Sequence, residues 1–229
     1  MRLVDAVVAH SVASRNTAGA FLREMEKYGH LRRAPPGRDR RVAALEPSSL
    51  SLRMISAWVS IHLSTLDAFD GGERGSVFAR NPELLASMQP LIADALLRSN
   101  AIRSPEPIFS FFTWLNEGGV VMDWLCHGLE EPEADDPRIL STVSSFEDLR
   151  ERIQLSLSHL TRKMRAAEEM GSVGWFGPRG KSPMWVSREF VEQYQRQQAA
   201  KLAIIETAFR DARASFEQKA FAERIEVAV

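Results

Sequence analysis

The sequence predicts a mainly α-helical chain in which one structural plan occurs twice. Three observations carry that expectation. Ser14 opens SRNTAGAFLREMEKYG and Ser156 opens SLSHLTRKMRAAEEMG, and Gly29 and Gly171 close the two stretches at the same distance from their serines. Each glycine leads into a segment with a Pro/Gly/Arg tip between β-prone flanks, LRRAPPGRDRRVAALEPS in one copy and SVGWFGPRGKSPMWVSRE in the other. Each of these leads in turn into a long amphipathic stretch. Capped helix, glycine stop, hairpin and long helix are the plan of a winged helix-turn-helix. The expected fold is therefore tandem winged helix-turn-helix modules with small β-hairpin wings and long connecting helices.

In order along the chain, Leu3, Val4, Val7 and Val8 fit one side of a short helix over 3–10. Ser14 is a good N-cap, because its hydroxyl can accept from a free amide of the first turn. Ala18, Phe21, Leu22 and Met25 are spaced to face inward, leaving Arg15, Asn16, Thr17 and Gly19 outside, and Gly29 can take the left-handed conformation that ends a helix. Pro35-Pro36-Gly37 supplies turn chemistry, and Val42, Ala43 and Leu45 return as a strand, with Asp39 set to hold a neighbouring arginine. Pro47, Ser48 and Ser49 then start a helix to about Phe69, with Leu52, Ile55, Val59, Leu63 and Leu66 as its stripe and Gly71-Gly72 as its stop.

Residues 73–83 read as a loop, and Leu84 to about Ser99 as a helix interrupted near Pro90. Aromatic PIFSFFTWL follows. Glu117 to Leu129 reads as a helix with Val120, Val121, Trp124 and Leu125 inward, 130–138 as an exposed acidic connector, and Phe146–Arg152 as a helix. The second recognition-type helix spans Ser156 to Met170, and its wing is FGPRGKSPMW. A last helix covers about Ser187 to Phe216, with Phe69 and Phe209 matching each other near the two helix ends. The domain division expected is 1–70 for the first module, 71–116 for a helical connector, 117–216 for the second module and 217–229 for a tail. The first module begins at its second helix; either the true start lies upstream or a segment such as Leu84–Ser99 fills the place.

At 229 residues and 45% hydrophobic content the chain can bury one or two cores, and 26% charge fits an ordinary soluble protein. The 29 basic and 30 acidic residues give a net charge of −1, so no whole-chain argument for a polyanion partner holds. Distribution carries the argument instead: Arg15, Arg23, Lys27, Arg32, Arg33, Arg38, Arg40 and Arg41 crowd the first module against Glu24, Glu26 and Asp39. Cys126 is the only cysteine, which excludes an internal disulfide and a multi-cysteine zinc site and suits a reducing cytoplasm. No apolar run approaches the ~20 residues of a membrane helix, and no secretory leader is expected. Arginine-rich composition fits a bacterial source.

SRNTAGAFLREMEKYGHLRR followed by GRDRRVAALEPS resembles the MarR family of bacterial regulators, in which a recognition helix leads into an arginine-bearing wing and a strand ending before a long dimerisation helix. The resemblance covers about the first seventy residues. It implies that Ser14, Arg15, Asn16 and Thr17 face a major groove and that Asp39, Arg40 and Arg41 form the wing contact. MarR proteins usually carry one winged helix per chain, so two copies here imply a monomeric pseudo-dimer or a homodimer. The second copy lacks the Asp-Arg-Arg wing and offers Arg179 and Lys181.

The function expected is sequence-specific binding of double-stranded DNA by a transcriptional regulator. Base contacts are expected from residues 15–19 and 158–162 and phosphate contacts from the wings and helix termini, and the DNA-binding residues expected are Ser14, Arg15, Asn16, Thr17, Arg32, Arg33, Arg38, Arg40, Arg41, Ser158, His159, Thr161, Arg162, Arg179 and Lys181. Two modules on one duplex would place their recognition helices roughly 34 Å apart. The alternatives are a winged-helix protein-interaction module and a sensor whose aromatic middle, Phe109, Phe111, Phe112, Trp114 and Trp124, takes a small apolar effector. His159 has no metal-ligand partner at suitable spacing, and adjacent Cys126 and His127 diverge on a helix, so neither a metal, a cofactor nor an enzyme is expected. Replacing Arg40 and Arg41 with alanine should weaken binding to every duplex and flatten its salt dependence; an unchanged affinity in a filter-binding titration would remove the wing from the interface.

Overall fold

The computed structural model describes residues 13–34, 44–113, 118–130, 136–143 and 157–227. The expected helices over 3–10 and 146–152, the turn Pro35-Pro36-Gly37, the tip residues Arg38, Asp39, Arg40 and Arg41, Val42 and Ala43 of the returning strand, Trp114 and Ser156 lie outside them. The chain is mainly helical and forms two compact units, residues 1–99 with 201–229, and residues 100–200. Among the described residues no helix is long and apolar enough to cross a membrane.

In the first unit α1 (Arg15–Lys27) leads through Gly29 into the hairpin β1 (Leu31–Arg33) and β2 (Leu45–Pro47). Then come α2 (Ser49–Asp70), α3 (Arg74–Arg80) and α4 (Leu84–Arg98). The second unit holds α5 (Asn100–Arg103), α6 (Pro107–Thr113), α7 (Gly118–His127), β3 (Arg138–Ser141), α8 (Leu157–Glu169) and the hairpin β4 (Val173–Trp175) and β5 (Met184–Ser187). Its antiparallel sheet has the order β3-β5-β4. The last helix, α9 (Arg188–Val227), gives residues to both units.

The repeated sequence plan builds one hydrogen-bond scheme twice. Tyr28 N–H donates to Glu24 O, Gly29 to Glu26 O and His30 to Met25 O; Met170 donates to Ala166 O, Gly171 to Glu168 O and Ser172 to Ala167 O in the same positions of the second copy. Gly29 and Gly171 hold φ of 74° and 68°, which a side chain would resist. Beyond each strand pair, Ala34 N–H donates to Ala44 O and Phe176 N–H to Pro183 O. Each long helix is capped alike, Ser48 Oγ accepting from Ser51 N–H at 3.3 Å and Ser187 Oγ from Phe190 N–H at 3.0 Å. Registers match as well, with Arg32 opposite Glu46 where the second hairpin sets Gly174 opposite Trp185. There the indole lies so close over Gly174 that a Cβ would meet its ring.

The copies differ at the third strand. β5 gives Met184 N–H to Val143 O at 2.9 Å, and alternation points the Val186 amide the same way, toward β3. The counterpart of Val186 is Pro47, which has no amide to give, and among the described residues β1 and β2 form a two-stranded sheet.

Two cores follow. In the first unit Val59 and Leu63 of α2 pack with Phe78, with Leu84, Met88 and Ile92 of α4, and with Ile205, Ala208, Phe209 and Ala212 of α9. In the second, Phe112, Val121, Met122, Leu125, Ile139, Leu160, Met164, Val173, Val186 and Phe190 form one cluster. The inward face of α8, Leu160, Met164 and Ala167, is wholly buried, whereas α1 buries only Ala18 at the equivalent positions.

Several expectations are corrected. Residues 73–83 are not all loop: α3 forms because the Asp67 carboxylate accepts the Arg74 and Gly75 amides at 2.9 and 2.8 Å, supplying partners that its first turn lacks. Pro90 does not interrupt α4, since burying Leu84, Met88 and Ile92 offsets the one donor the proline removes. Arg138, placed in an exposed connector, begins β3. Phe21 and Val120, read as inward, are 56% and 42% exposed, and Met122 takes the buried position on α7. Leu52 is exposed too, and the inner side of α2 is Ile55, Val59, Leu63 and Leu66. Residues 217–227, set apart as a tail, continue α9, because no Gly or Pro stops FEQKAFAERIEV. Phe209 is therefore mid-helix and buried, while Phe69 is exposed at the end of α2.

Arg74 ties the first unit together. Its guanidinium meets Asp67 at 3.0 Å, Asp70 at 2.6 Å and Glu206 of α9, with the side chain 17% exposed. The Arg74 hydrogen bond, then the Gly72 amide, lowers Asp70 to about 2. Burial works against ionising Asp67, but the amides of Gly75 and Arg74 and the guanidinium outweigh it and leave it below the usual carboxylate range. Both shifts are downward, so their stabilisation is complete above the ordinary carboxylate pKa and is lost as pH falls toward 2. Arg74→Met should lower the melting temperature at neutral pH by on the order of 5 °C and flatten the acid-side fall in melting temperature, both read from circular-dichroism melts across pH.

Candidate nucleic-acid interface

The first-turn candidates sit where the cap geometry places them. Ser14 Oγ accepts from Thr17 N–H at 3.2 Å and lies 2.8 Å from Thr17 Oγ1, so these two side chains are tied to each other at the start of α1. Arg15 and Asn16 are exposed beside them, and the first turn contains no acidic residue. The positive end of the helix dipole favours an anion at such a terminus. Gly19 leaves room on this face, the nearest atom to a built Cβ being Arg23 Nη1 at 3.5 Å.

α8 repeats that surface with other side chains. Ser158, Arg162 and Arg165 are exposed and Thr161 is half-buried beside them, on the side opposite Leu160, Met164 and Ala167. Its first turn also lacks an acid. His159 belongs to the helix, and its side chain is outside the described residues. Lys163 does not join the exposed row: its ammonium lies over the Phe111 ring, 5.5 Å from the centroid.

The hairpin cations are held back by carboxylates. Arg32 Nε meets Glu46 Oε1 across the strands at 2.8 Å, and Arg33 Nε meets Glu26 Oε1 of α1 at 2.8 Å. Hydrogen bonding to Glu26 and its charge raise the Arg33 pKa further. In the second copy Glu168, the counterpart of Glu26, accepts from Trp175 Nε1 at 3.1 Å and pairs with Arg179. Lys181 is exposed at the hairpin tip and makes no ion pair among the described residues. Thus Glu26, Glu46 and Glu168 are the site residues that sequence reasoning missed. The signal was present: Glu26 and Glu168 occupy one repeat position, and Arg33 and Trp175 occupy another, on the far side of the glycine. Exposed pairs of this kind exchange readily for another anion.

The aromatic middle is core where it is described. Phe112 is fully buried, edge-on to Phe111 and to Phe190 at 5.3 Å each. Trp124 stacks on His127 with centroids 6.3 Å apart. Among the described residues no group of three or more His, Cys, Asp or Glu is placed to hold a metal ion. Burial, then the negative charge of Asp123, pushes the Cys126 thiol up to about 12. Asp123 in turn accepts from Tyr194 OH at 2.7 Å.

Compared with protein-family models, with curated proteins and with solved structures, the chain matches none.

The raised thiol has a direct consequence. Cys126 stays protonated through neutral pH, so its alkylation by iodoacetamide should run at least tenfold slower than that of free cysteine at pH about 8. Mass spectrometry over time measures this.

Proposed function

We propose that this chain binds double-stranded DNA through the N-terminal turns of α1 and α8, with the two hairpins as wings, and acts as a transcriptional regulator of MarR-like type. One observation carries the reading: helix, positive-φ glycine, hairpin and serine-capped long helix recur with the same hydrogen bonds at the same positions. The second unit adds support through its element order of helix, strand, helix and two strands, with the first strand beside the last, which is how winged helices are built. The acid-free first turns, with Arg15 and Asn16 on one and Ser158 and Arg162 on the other, suit a helix entering a major groove. Arg32, Arg33 and Lys181 stand on or beside the strands that would flank the backbone, and phosphate can replace Glu46 and Glu26 as their partner.

A second reading, a protein-interaction module, is favoured by one specific feature. Phe21 on α1 and Tyr28 just after it are more than half exposed, and the nearby Arg32 and Arg33 already have carboxylate partners. Salt dependence separates the two, since release of counterions makes DNA binding fall steeply with salt.

The deciding experiment is selection of tight binders from random duplexes at low and at near-physiological salt. A two-part motif, with Arg162→Ala weakening binding about tenfold and Glu26→Gln combined with Glu46→Gln strengthening binding to all duplexes several-fold, is the expected result. Absence of binding at low salt would overturn the DNA reading.

A further inference from the structure

Within the first unit an open cleft of about 610 Å³ lies between α3 and α9, a size that small-molecule sites commonly have. Four arginines line it against three glutamates. Arg74 is met by Asp67 and Asp70 of α2 and by Glu206 of α9, all from other elements, and is thereby neutralised. The other three arginines have no such arrangement among the described residues. Arg80, exposed at the end of α3, makes no ion pair there. Arg210, 71% exposed, reaches the carboxylate of its own chain neighbour Asp211 at 3.8 Å. Arg213 Nε meets Glu217 Oε1 at 2.8 Å, in an exposed pair one turn apart on α9. Arg210 and Arg213 stand three residues apart on one helix face, where like charges repel, and Arg80 adds a third charge to the same hollow. An anion in the cleft removes that repulsion.

We propose that this cleft binds a small soluble molecule by a phosphoryl group, held by Arg80, Arg210 and Arg213, with the rest of the molecule against Val77 and Ala214. Three guanidinium forks carried by two helices suit the three oxygens of a phosphoryl group, which point to different sides, better than the two coplanar oxygens of a carboxylate. Glu217 is the anion that gives way, since an exposed pair of this kind holds its arginine weakly. A lipid surface would need large exposed apolar side chains beside the cations, and the lining has none, Phe209 being 4% exposed and Val77 half-buried. A duplex backbone would carry further phosphates past the Glu73 and Glu217 carboxylates, which repel them. No residue of α1, α8 or the hairpins takes part, so the site stands or falls separately from DNA binding.

Isothermal titration calorimetry of the full chain with pyrophosphate and with adenosine monophosphate tests it, adenosine serving as the control without phosphate. Both phosphates should bind one per chain with a dissociation constant on the order of 0.1 mM, and adenosine should not bind. Arg80→Gln combined with Arg210→Gln should weaken both at least tenfold while leaving the melting curve and any duplex binding as they were. Should that variant misfold, Glu217→Gln decides alone: it leaves Arg213 to the ligand and should tighten binding several-fold. Vesicles of phosphatidylcholine with phosphatidic acid should not carry the chain down on sedimentation. Failure of the folded chain to bind either phosphate, binding that survives the double substitution, an unchanged affinity in Glu217→Gln, loss of duplex binding in the double variant, or capture by the vesicles in place of soluble phosphate would each overturn the proposal.

Discussion

In each copy the course of the chain after the first helix is set at one glycine held at positive φ. Gly29 and Gly171 let the backbone leave the helix while its last carbonyls are still being used: those of Glu24, Met25 and Glu26 in one copy, and of Ala166, Ala167 and Glu168 in the other. The residue after the glycine, His30 or Ser172, leads directly into a strand that starts at Leu31 or Val173, its direction already fixed. The same residue's carbonyl, His30 O or Ser172 O, accepts the amide of the serine that caps the long helix, so the hairpin's two ends are anchored at one point. Helix, hairpin and long helix are thus one locally determined unit, which explains why two quite different sequences trace it alike.

What each copy does with that frame depends on electrostatics. In the first hairpin Arg32 faces Glu46 and Arg33 reaches Glu26; in the second, Gly174 lies under Trp185 and Trp175 takes the glutamate. One hairpin therefore sets matched ions across its strands, and the other sets an indole over a glycine. Arg74 is of another kind: half-enclosed by three carboxylates, it joins α2, α3 and α9 rather than presenting charge to a partner. A near-zero net charge conceals both patterns.

Features whose cause lies within a few residues were legible in the sequence. Ser14 and Ser48 as caps, Gly29 and Gly71 as stops and Leu45 in the returning strand rest on local chemistry, and the structure has them. Features that need a distant partner were not. α3 depends on the Asp67 carboxylate of the preceding helix, and β3 on pairing with a strand more than forty residues away. Periodicity correctly gave α1 an apolar side, but it cannot say whether anything covers it, hence Phe21. The candidate site divides the same way: Arg15, Asn16 and Arg162 could be placed from helix spacing, whereas the carboxylates beside Arg32, Arg33 and Arg179 come from elements that meet only on folding.

Pro47 looks like a minor difference between the two hairpins, since it only replaces Val186. Its effect concerns crowded solutions. A short β-ribbon with a free row of amides can template the addition of further chains, which is how edge-to-edge aggregates grow. With a ring nitrogen at the last residue of β2, one of the outward donors of that short strand is missing, and a neighbouring chain finds fewer main-chain bonds there. Association between copies of this protein on that side then falls more to side chains, whose pairing is selective by shape and finite in extent.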